Sequence, residues 1–294
     1  MNDRQPSVPE VRGAWRIGAV DKQILGLWLV LGFVALSFLY PLAEVLVLSV
    51  TDADGHLTPA KFQELLTNAS TRRVLQQTIT TSLLVSLICL LVAYPAAVYL
   101  ARLTGWKSTL CNVLILFPFL SSSLIRTFVF IVLLGRRGTV NQFLEYVGVP
   151  GAPFRMLFND VGVLIGMSYV LLPYMLLSLV GTMKRINPAL LDAALSLGAS
   201  RFTVFVTVYF PLSLPGVATG VVITSILAFG YFVTPALMGG PGQMMIAQLV
   251  EQRVTTTYDL GGAAAVAVLM LVFVSVAYAC ASRWLGLSRL MRSE

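Results

Sequence analysis

The sequence predicts an all-α membrane protein with six transmembrane helices, and three observations lead to that class. Of the 294 residues, 57% are hydrophobic and only 11% are charged, whereas about a quarter of the residues in a soluble domain carry charge. The mean hydropathy is +0.84. Six separate apolar stretches are each long enough to cross a bilayer, and basic residues concentrate in the loops on one side of them.

The apolar stretches define the predicted spans and domain limits. A bilayer core about 30 Å thick needs about 20 helical residues. The first stretch is longer than the apolar core of a signal peptide and lacks a clear cleavage site, so we interpret it as a span. The predicted spans cover residues 24–50, 74–101, 110–134, 161–183, 212–238 and 261–285. These spans divide the chain into a cytoplasmic segment of residues 1–23, a transmembrane domain of residues 24–285 and a cytoplasmic tail of residues 286–294.

The basic residues predict the orientation. With six spans both termini share one side, and that side carries 12 of the 20 lysines and arginines, against seven on the other side and Arg126 within the third span. The positive-inside rule therefore places both termini in the cytoplasm. The formal charge of +7 is then mostly a consequence of topology, and no nucleic-acid partner is expected.

Several kinds of catalytic site are excluded by what the sequence lacks. His56 is the only histidine and lies in a polar loop, while Ser-His hydrolysis or a His-ligated metal needs imidazole at the reaction site. The three cysteines fall in apolar runs without the spacing of a metal knuckle. No G-x-x-x-x-G-K-[ST] phosphate loop occurs. We expect no catalytic residue, no metal and no bound cofactor in this chain, so any nucleotide energy must come from a partner.

Two ionisable residues lie within the predicted spans. Glu44 is in the first span and Arg126 in the third. Placing a charged side chain deep in the bilayer costs at least about 2.5–3.5 kcal/mol of insertion free energy. Each residue should therefore face a cavity, another chain or a counter-charge. Either residue could line a polar pathway, with Tyr169 and Tyr231 as aromatic neighbours for a solute, or could extend its charged group to the membrane surface from near a span end. The prediction leaves both alternatives open.

Prolines interrupt five of the six predicted spans, which favours kinked helices. They are Pro95, Pro118, Pro173, Pro215 and Pro235. The outer loops also predict two short helices, one in residues 51–73 and one in residues 135–160, because apolar side chains recur there at helical spacing.

The cytoplasmic stretch before the fifth span predicts helix, tight turn, helix. Asn187 can cap a helix that Pro188 opens, Gly198 suits its C-terminal stop, and Ser200 can cap a second segment. The run "RFTVFVTVYF" would favour a strand by composition, but a lone strand would have no partner there, so we predict a helix. Pro211 is expected to end this cytoplasmic segment, which we assign to residues 184–211, and Pro215 to open the fifth span.

A family resemblance rests on this stretch. Asp192-Ala193-Ala194, three residues, Gly198, nine residues, then Val208-Tyr209-Phe210-Pro211 resembles the EAA loop of binding-protein-dependent ABC importer permeases, E-A-A-x3-G-x9-I-x-L-P. Asp192 stands where that pattern has Glu. The likeness extends over roughly residues 94–285 and is closest to the PotB-type spermidine/putrescine permeases, through "YPAAVYLARL", "FPFLSSSLIRTF", "GTVNQFLEYVGV", "YVLLPYMLLSL" and "FVTPALMGGPGQMMIAQLV".

The resemblance implies one half of a type I importer in a bacterial inner membrane. Its partners would be a second homologous permease, a dimer of ABC ATPase subunits that bind ATP and Mg, and an extracytoplasmic solute-binding protein. The coupling residues it implies are Asp192, Ala193, Ala194, Gly198 and Pro211.

The solute that the resemblance implies is a polyamine or a related organic amine. The same importer class for an opine, iron(III), thiamine or sulfate stays open. A stand-alone secondary transporter is disfavoured because no internal repeat or buried acidic relay is found, and a membrane enzyme is disfavoured because His56 lies in a loop.

Overall fold

The fold was analysed in a computed structural model, which describes residues 17–52 and 56–284. The predicted tail of residues 286–294, Leu285 and most of the predicted N-terminal segment lie outside the described residues, as do Arg4, Arg12, Arg16, Arg289 and Arg292. The chain divides into two compact units, residues 1–47 and residues 48–294. The first unit contains most of helix α1 (Ile17–Val50).

Within the described residues every regular element is helical, apart from an isolated bridge between Thr51 and Leu57, which confirms the predicted fold class. Five helices are long and apolar enough to cross a membrane, or six spans if one bent pair is counted as a single span. The elements are α1 (Ile17–Val50), α2 (Ala60–Thr67), α3 (Ala69–Ala101), α4 (Gly105–Leu120), α5 (Ser123–Leu134), α6 (Thr139–Tyr146), α7 (Asp160–Met183), α8 (Pro188–Ser196), α9 (Arg201–Val204), a π-helical turn (Phe205–Tyr209), α10 (Phe210–Phe229), α11 (Val233–Met238), α12 (Ile246–Thr255) and α13 (Leu260–Trp284).

Helices α3, α7 and α10 form the core of the second unit. Gln77 on α3 donates a hydrogen bond to Asp160 at the start of α7, at 2.8 Å, and further along Cys89 on α3 donates to the Ser168 carbonyl. These two helices therefore run parallel. Helix α10 runs the other way, because Ser86 pairs with Ser225 at 2.8 Å while Tyr94, later on α3, pairs with the earlier Ser213 at 2.9 Å.

Small residues let α10 approach α7 closely. A Cβ added at Gly216 would lie 2.7 Å from the Cβ of Thr182, and one at Gly220 would lie 2.6 Å from the Sδ of Met175. Ser178 also donates to the Gly216 carbonyl at 3.0 Å. Helix packing within lipid depends on such close contact, since lipid tails are as apolar as the side chains.

The predicted third span, residues 110–134, is wrong as a continuous helix. Helix α4 and the segment Ser123–Tyr146, which begins with α5, are separated by a break at Ser121 and Ser122 and meet at 94°. Pro118 lies in the last turn of α4, and the hydroxyl of Ser121 donates to the Pro118 carbonyl at 3.0 Å. Pro118 lacks the amide hydrogen that would bond the carbonyl four residues earlier, which weakens the last turn of α4. The Ser121 hydroxyl then satisfies the Pro118 carbonyl where the helix ends.

The predicted fifth span, residues 212–238, has the wrong limits. The apolar helix begins at Arg201 and continues through the π-helical turn and Pro211 to Phe229. Pro211 therefore does not end a separate cytoplasmic segment, and Pro215 lies inside the helix. A proline can occupy the first positions of α10 because its φ is helical. The helix stops at Gly230, and Pro235 belongs to the separate helix α11.

The two loops in which the sequence predicts short helices contain α2 and α6. Asn141 on α6 is fully buried. Its side-chain amide nitrogen donates to the backbone carbonyls of Gly135 and Phe154 at 3.0 Å each, and its side-chain oxygen accepts from the Phe154 backbone amide at 2.9 Å. These bonds hold the loop together. Lys61 on α2 donates to the carbonyls of Leu48 and Thr51 at 3.0 and 2.6 Å, near the C-terminal end of α1.

Candidate functional site

The residues that the sequence singles out lie mainly in two regions. One is the α8–α9 loop, residues 187–204, at the C-terminal end of α7. The other is the α5–α11 junction, which consists of Arg126 and Thr127 on α5, Tyr169 on α7, Tyr231 in the break before α11, and Thr234 on α11. They are described in that order.

The α8–α9 loop has the helix, turn, helix structure that its local signals predict. The Asn187 side chain accepts from the Ala189 amide at 3.0 Å, and Pro188 opens α8. Gly198 has φ +87° and ends the helix, and its amide donates to the Leu195 carbonyl at 2.9 Å. The hydroxyl of Ser200 caps α9 by accepting from the Thr203 amide at 3.2 Å. Each predicted cap is thereby confirmed.

Helix α8 has one face against the core and one face free. Leu191 packs against the main hydrophobic cluster of the unit. Leu190, Ala193 and Leu197 recur at the spacing of a single helix face, and all three are exposed, Leu190 to 50% and Leu197 to 89%. Phe202 on α9 adds a ring that is 77% exposed. The loop therefore presents an apolar patch that the described part of the chain leaves uncovered.

Asp192 lies beside this patch with an exposed side chain. Its carbonyl accepts from the Ser196 hydroxyl at 2.9 Å, but its carboxylate forms no ion pair with the described residues. A carboxylate next to apolar and alanine side chains is available to a group on another molecule.

The loop is connected to the core through the π-helical turn. Helix α9 passes directly into this turn and then into α10. The ring of Tyr94 on α3 packs edge-on against Phe205 and lies 6.1 Å from Phe210 between centroids, while Phe205 stacks on Tyr209. A displacement of the loop would therefore act on α10 and on the packing between α10 and α3.

The α5–α11 junction joins the ends of two broken helices. The hydroxyls of Thr127 on α5 and Thr234 on α11 lie 3.3 Å apart. A Cβ added at Gly166 of α7 would lie 2.6 Å from Thr234 and 2.7 Å from Met238, so α11 rests directly on α7. Helix α11 is not predictable from composition, which would extend the preceding helix through Gly230. The Thr127–Thr234 contact likewise has no local signal in the sequence.

The junction lies beside the middle of α7. The Phe130 ring of α5 lies 4.7 Å from the Tyr169 ring, and the Phe119 ring of α4 lies 4.8 Å from the Tyr174 ring. Tyr169 and Tyr174 are each nine residues from an end of α7, which is about 13 Å along the helix axis. The break between α4 and α5 therefore faces the midpoint of this span.

The predicted pathway residues are only partly brought together. Arg126 precedes Thr127, and Tyr231 lies three residues before Thr234, so both flank the threonine contact. Tyr169 packs on Phe130, one turn beyond Arg126. The Nε atom of Arg126 and the hydroxyl of Tyr231 are both buried without a hydrogen-bond partner in the structure. Glu44 is exposed on α1, in the N-terminal unit.

Residues 91–286 match the family described as "Binding-protein-dependent transport system inner membrane component". The chain is 32% identical over 199 residues to the spermidine/putrescine transport system permease protein PotB of Escherichia coli (strain K12), covering 68% of this chain and 72% of that protein. It is 29% identical to the molybdenum transport system permease protein ModB of Mycobacterium bovis, covering 72% of this chain and 79% of that one.

A solved structure shows the same fold. It is a chain of a bacterial alginate ABC transporter in complex with an alginate pentasaccharide-bound periplasmic protein, with a TM-score of 0.72 and 18% sequence identity. The alignment covers 92% of this chain and 96% of that one.

Proposed function

Since this chain belongs to the family of binding-protein-dependent transport system inner membrane components, the permeases of ABC importers, we propose that its α8–α9 loop couples it to a cytoplasmic ATPase. The family match covers more than half of the chain, and the protein is an inner-membrane permease subunit. ATP hydrolysis would then take place in the partner, which binds ATP and Mg, and this chain would supply half of the solute pathway.

The exposed apolar patch on α8 and α9 is the observation that carries the coupling proposal. Burying one leucine side chain contributes about 1.5–3 kcal/mol, so covering Leu190, Leu197 and Phe202 offers substantial stabilisation to a docked subunit. A helix resting on lipid headgroups would instead line its polar face with lysine or arginine, and α8 carries Asp192. Ala193 and Ala194 would permit close approach, and Gly198 would set the angle at which the patch is presented.

Coupling would pass from the docked ATPase into α10. The α8–α9 loop continues through the π-helical turn and Pro211, without a break, into a helix that contacts α7 at Gly216 and Gly220. Closure of the ATPase pair would thereby change the packing of α10 against α7 and alternate the access of the pathway. Both termini and the α8–α9 loop would lie in the cytoplasm.

The proposed solute is a polyamine or a related organic amine. The similarity to spermidine/putrescine permeases supports it, and Tyr169 offers a half-exposed aromatic face of the kind that attracts organic cations. Similarity to a molybdenum permease keeps another solute as the second candidate, since the importer class carries both. The proposed partners are a second homologous permease, a dimer of ATPase subunits and a periplasmic solute-binding protein.

Co-purification tests the proposal directly. The chain, extracted in mild detergent, should retain an ATPase and a second permease, and the complex with its binding protein should take up solute into vesicles only with ATP. The variant Asp192→Lys should reduce ATPase retention, because it reverses the charge beside the patch, while Glu145→Lys on α6 serves as the matched control. Equal retention by the wild type and Asp192→Lys, or solute uptake without ATP, would contradict the coupling role.

A further inference from the structure

A cationic cavity lies between the end of α5 and the start of α7, at the opposite end of α7 from the α8–α9 loop. Its volume is about 430 Å³, and Arg136 and Arg155 both line it with exposed side chains. A guanidinium carries its charge at every accessible pH. The rest of the lining is apolar and comes from Leu134, Pro153, Met156, Leu157 and Phe158. The cavity therefore combines two permanent positive charges with an apolar wall.

The buried side chain of Asn141 holds the two arginine-bearing segments side by side. Its nitrogen donates to the carbonyl of Gly135, the residue before Arg136, at 3.0 Å. The same nitrogen donates to the carbonyl of Phe154, the residue before Arg155, at 3.0 Å, and its oxygen accepts from the Phe154 amide at 2.9 Å. The protein itself thus fixes the spacing of the two segments, and a preformed site loses less entropy when a ligand binds.

The two guanidinium groups are available to an anion from outside the chain. Neither Arg136 nor Arg155 forms an ion pair with the described residues, and no carboxylate is among the residues that line the cavity. Asp160, at the start of α7, instead accepts from Gln77 and Gln243 at 2.8 and 3.4 Å. A guanidinium donates two parallel hydrogen bonds to the oxygens of a phosphate. The charges therefore suit a phosphate, and the apolar wall suits hydrocarbon attached to it.

The cavity lies at the level of the lipid headgroups. Helix α7 has 24 residues and is therefore about 36 Å long, which exceeds the hydrocarbon core of about 30 Å. The first residue of α7 is Asp160, and the cavity lining ends two residues before it, at Phe158. On the other side the lining begins at Leu134, the last residue of α5. Lipid phosphates lie at this level, with the first carbons of their acyl chains beside them.

We propose that this cavity binds an anionic phospholipid. The phosphate lies between Arg136 and Arg155, and the beginning of an acyl chain covers Met156 and Phe158. Basic pockets beside transmembrane helices bind anionic headgroups in this way. An acidic segment of another protein would match the charges but leave the apolar wall uncovered, whereas a lipid matches both and surrounds the protein at this level. The lipid is distinct from the transported solute, so the proposal does not depend on which solute is carried.

Lipid selectivity tests the site. The full chain, purified in mild detergent with the subunits it retains, is titrated with phosphatidylglycerol or phosphatidylcholine of the same acyl chains, and bound lipid is counted by native mass spectrometry. An arginine near an anionic lipid contributes about fivefold to affinity. The double variant Arg136→Gln/Arg155→Gln should therefore bind phosphatidylglycerol about 25-fold more weakly and lose most of its preference over phosphatidylcholine.

The matched control is Arg72→Gln/Arg73→Gln, which removes the same charge from two exposed residues at the start of α3 that do not line the cavity. It should keep the wild-type preference, and melting temperatures in phosphatidylcholine should agree among all three proteins. Phosphatidylglycerol should raise the melting temperature of the wild type and the control, but not of Arg136→Gln/Arg155→Gln.

Four outcomes would overturn the site. The first two are equal affinity of the wild type for both lipids and an equal loss of preference in the two double variants. A third is wild-type affinity for glycerophosphoglycerol, the same headgroup without acyl chains, which would assign the cavity to a soluble phosphate. The fourth is loss of a co-purifying solute-binding protein from Arg136→Gln/Arg155→Gln with unchanged lipid preference, which would assign the cavity to that protein.

Discussion

The turn at Gly198 offers the sharpest test of coupling, through the substitution Gly198→Val. Gly198 has φ +87°, and a Cβ built there meets no atom within 4 Å. The valine would therefore clash with nothing in the chain, and its cost would come from the backbone alone. That conformation costs an L-residue about 1–2 kcal/mol, and a β-branched residue is at the upper end.

The backbone strain at residue 198 can be relieved within the turn itself. The turn is closed by two hydrogen bonds, from the Gly198 amide to the Leu195 carbonyl at 2.9 Å and from the Ala199 amide to the Ala194 carbonyl at 3.2 Å. Releasing them lets φ return to a favourable value, but it changes the angle between α8 and α9. A cost of about 1–2 kcal/mol lowers the ratio of native to relaxed turn by about 5- to 30-fold, and affinity for the docked ATPase should fall by up to that factor.

The assay is a titration of purified ATPase against the immobilised permease, beside a thermal unfolding measurement of the permease alone. The melting temperature should stay near that of the wild type, since a Cβ at Gly198 meets no atom within 4 Å and the strain can relax within the turn. Gly148→Val is the matched control, because Gly148 has φ +77° with nothing within 4 Å of its Cβ position but lies at the end of α6. Wild-type affinity in Gly198→Val, or an equal loss in Gly148→Val, would refute the reasoning.

Three further predictions concern activity, packing and topology. The purified chain alone should show no ATP hydrolysis, and robust turnover by a preparation free of other proteins would rule out the permease assignment. Gly166→Ala should lower the melting temperature by several degrees, because its Cβ would lie 2.6 Å from Thr234. Gly181→Ala, with nothing within 4 Å, should not lower it, since alanine favours a helix interior; equal melting of the two variants would show that α11 does not rest on α7. In intact cells, a cysteine at Ser196 should resist a membrane-impermeant thiol reagent and one at Gly148 should react, and the reverse pattern would invert the proposed orientation.

The helix ends of the α8–α9 loop could be predicted because their signals are local. Asn187, Pro188, Gly198 and Ser200 each act on backbone groups within three residues of themselves. The helical state of residues 201–210 could also be predicted against their strand-like composition, since a strand there would have no pairing partner. The sequence pattern could not predict which face of α8 stays exposed, because that depends on where Leu191 packs against the core.

The limits of the broken spans could not be predicted, although their prolines were noticed. Pro118 and Pro211 carry the same local penalty, yet the chain breaks after the first and continues through the second. The difference lies in the surroundings: the Ser121 hydroxyl satisfies the Pro118 carbonyl at the end of α4, while a π-helical turn packed against Tyr94 precedes Pro211. Similar residues thus have opposite effects according to their neighbours.

By itself the sequence determined the membrane class, the approximate spans, the capped turn and the family, because hydropathy, caps and motif spacing act over one turn or along one helix. Only the tertiary structure decided that two broken helices meet beside the middle of α7, with Arg126 and Tyr231 unpartnered next to the Thr127–Thr234 contact. The physical reason is distance along the chain: these threonines are separated by 107 positions, and their contact exists only once α5, α7 and α11 have packed.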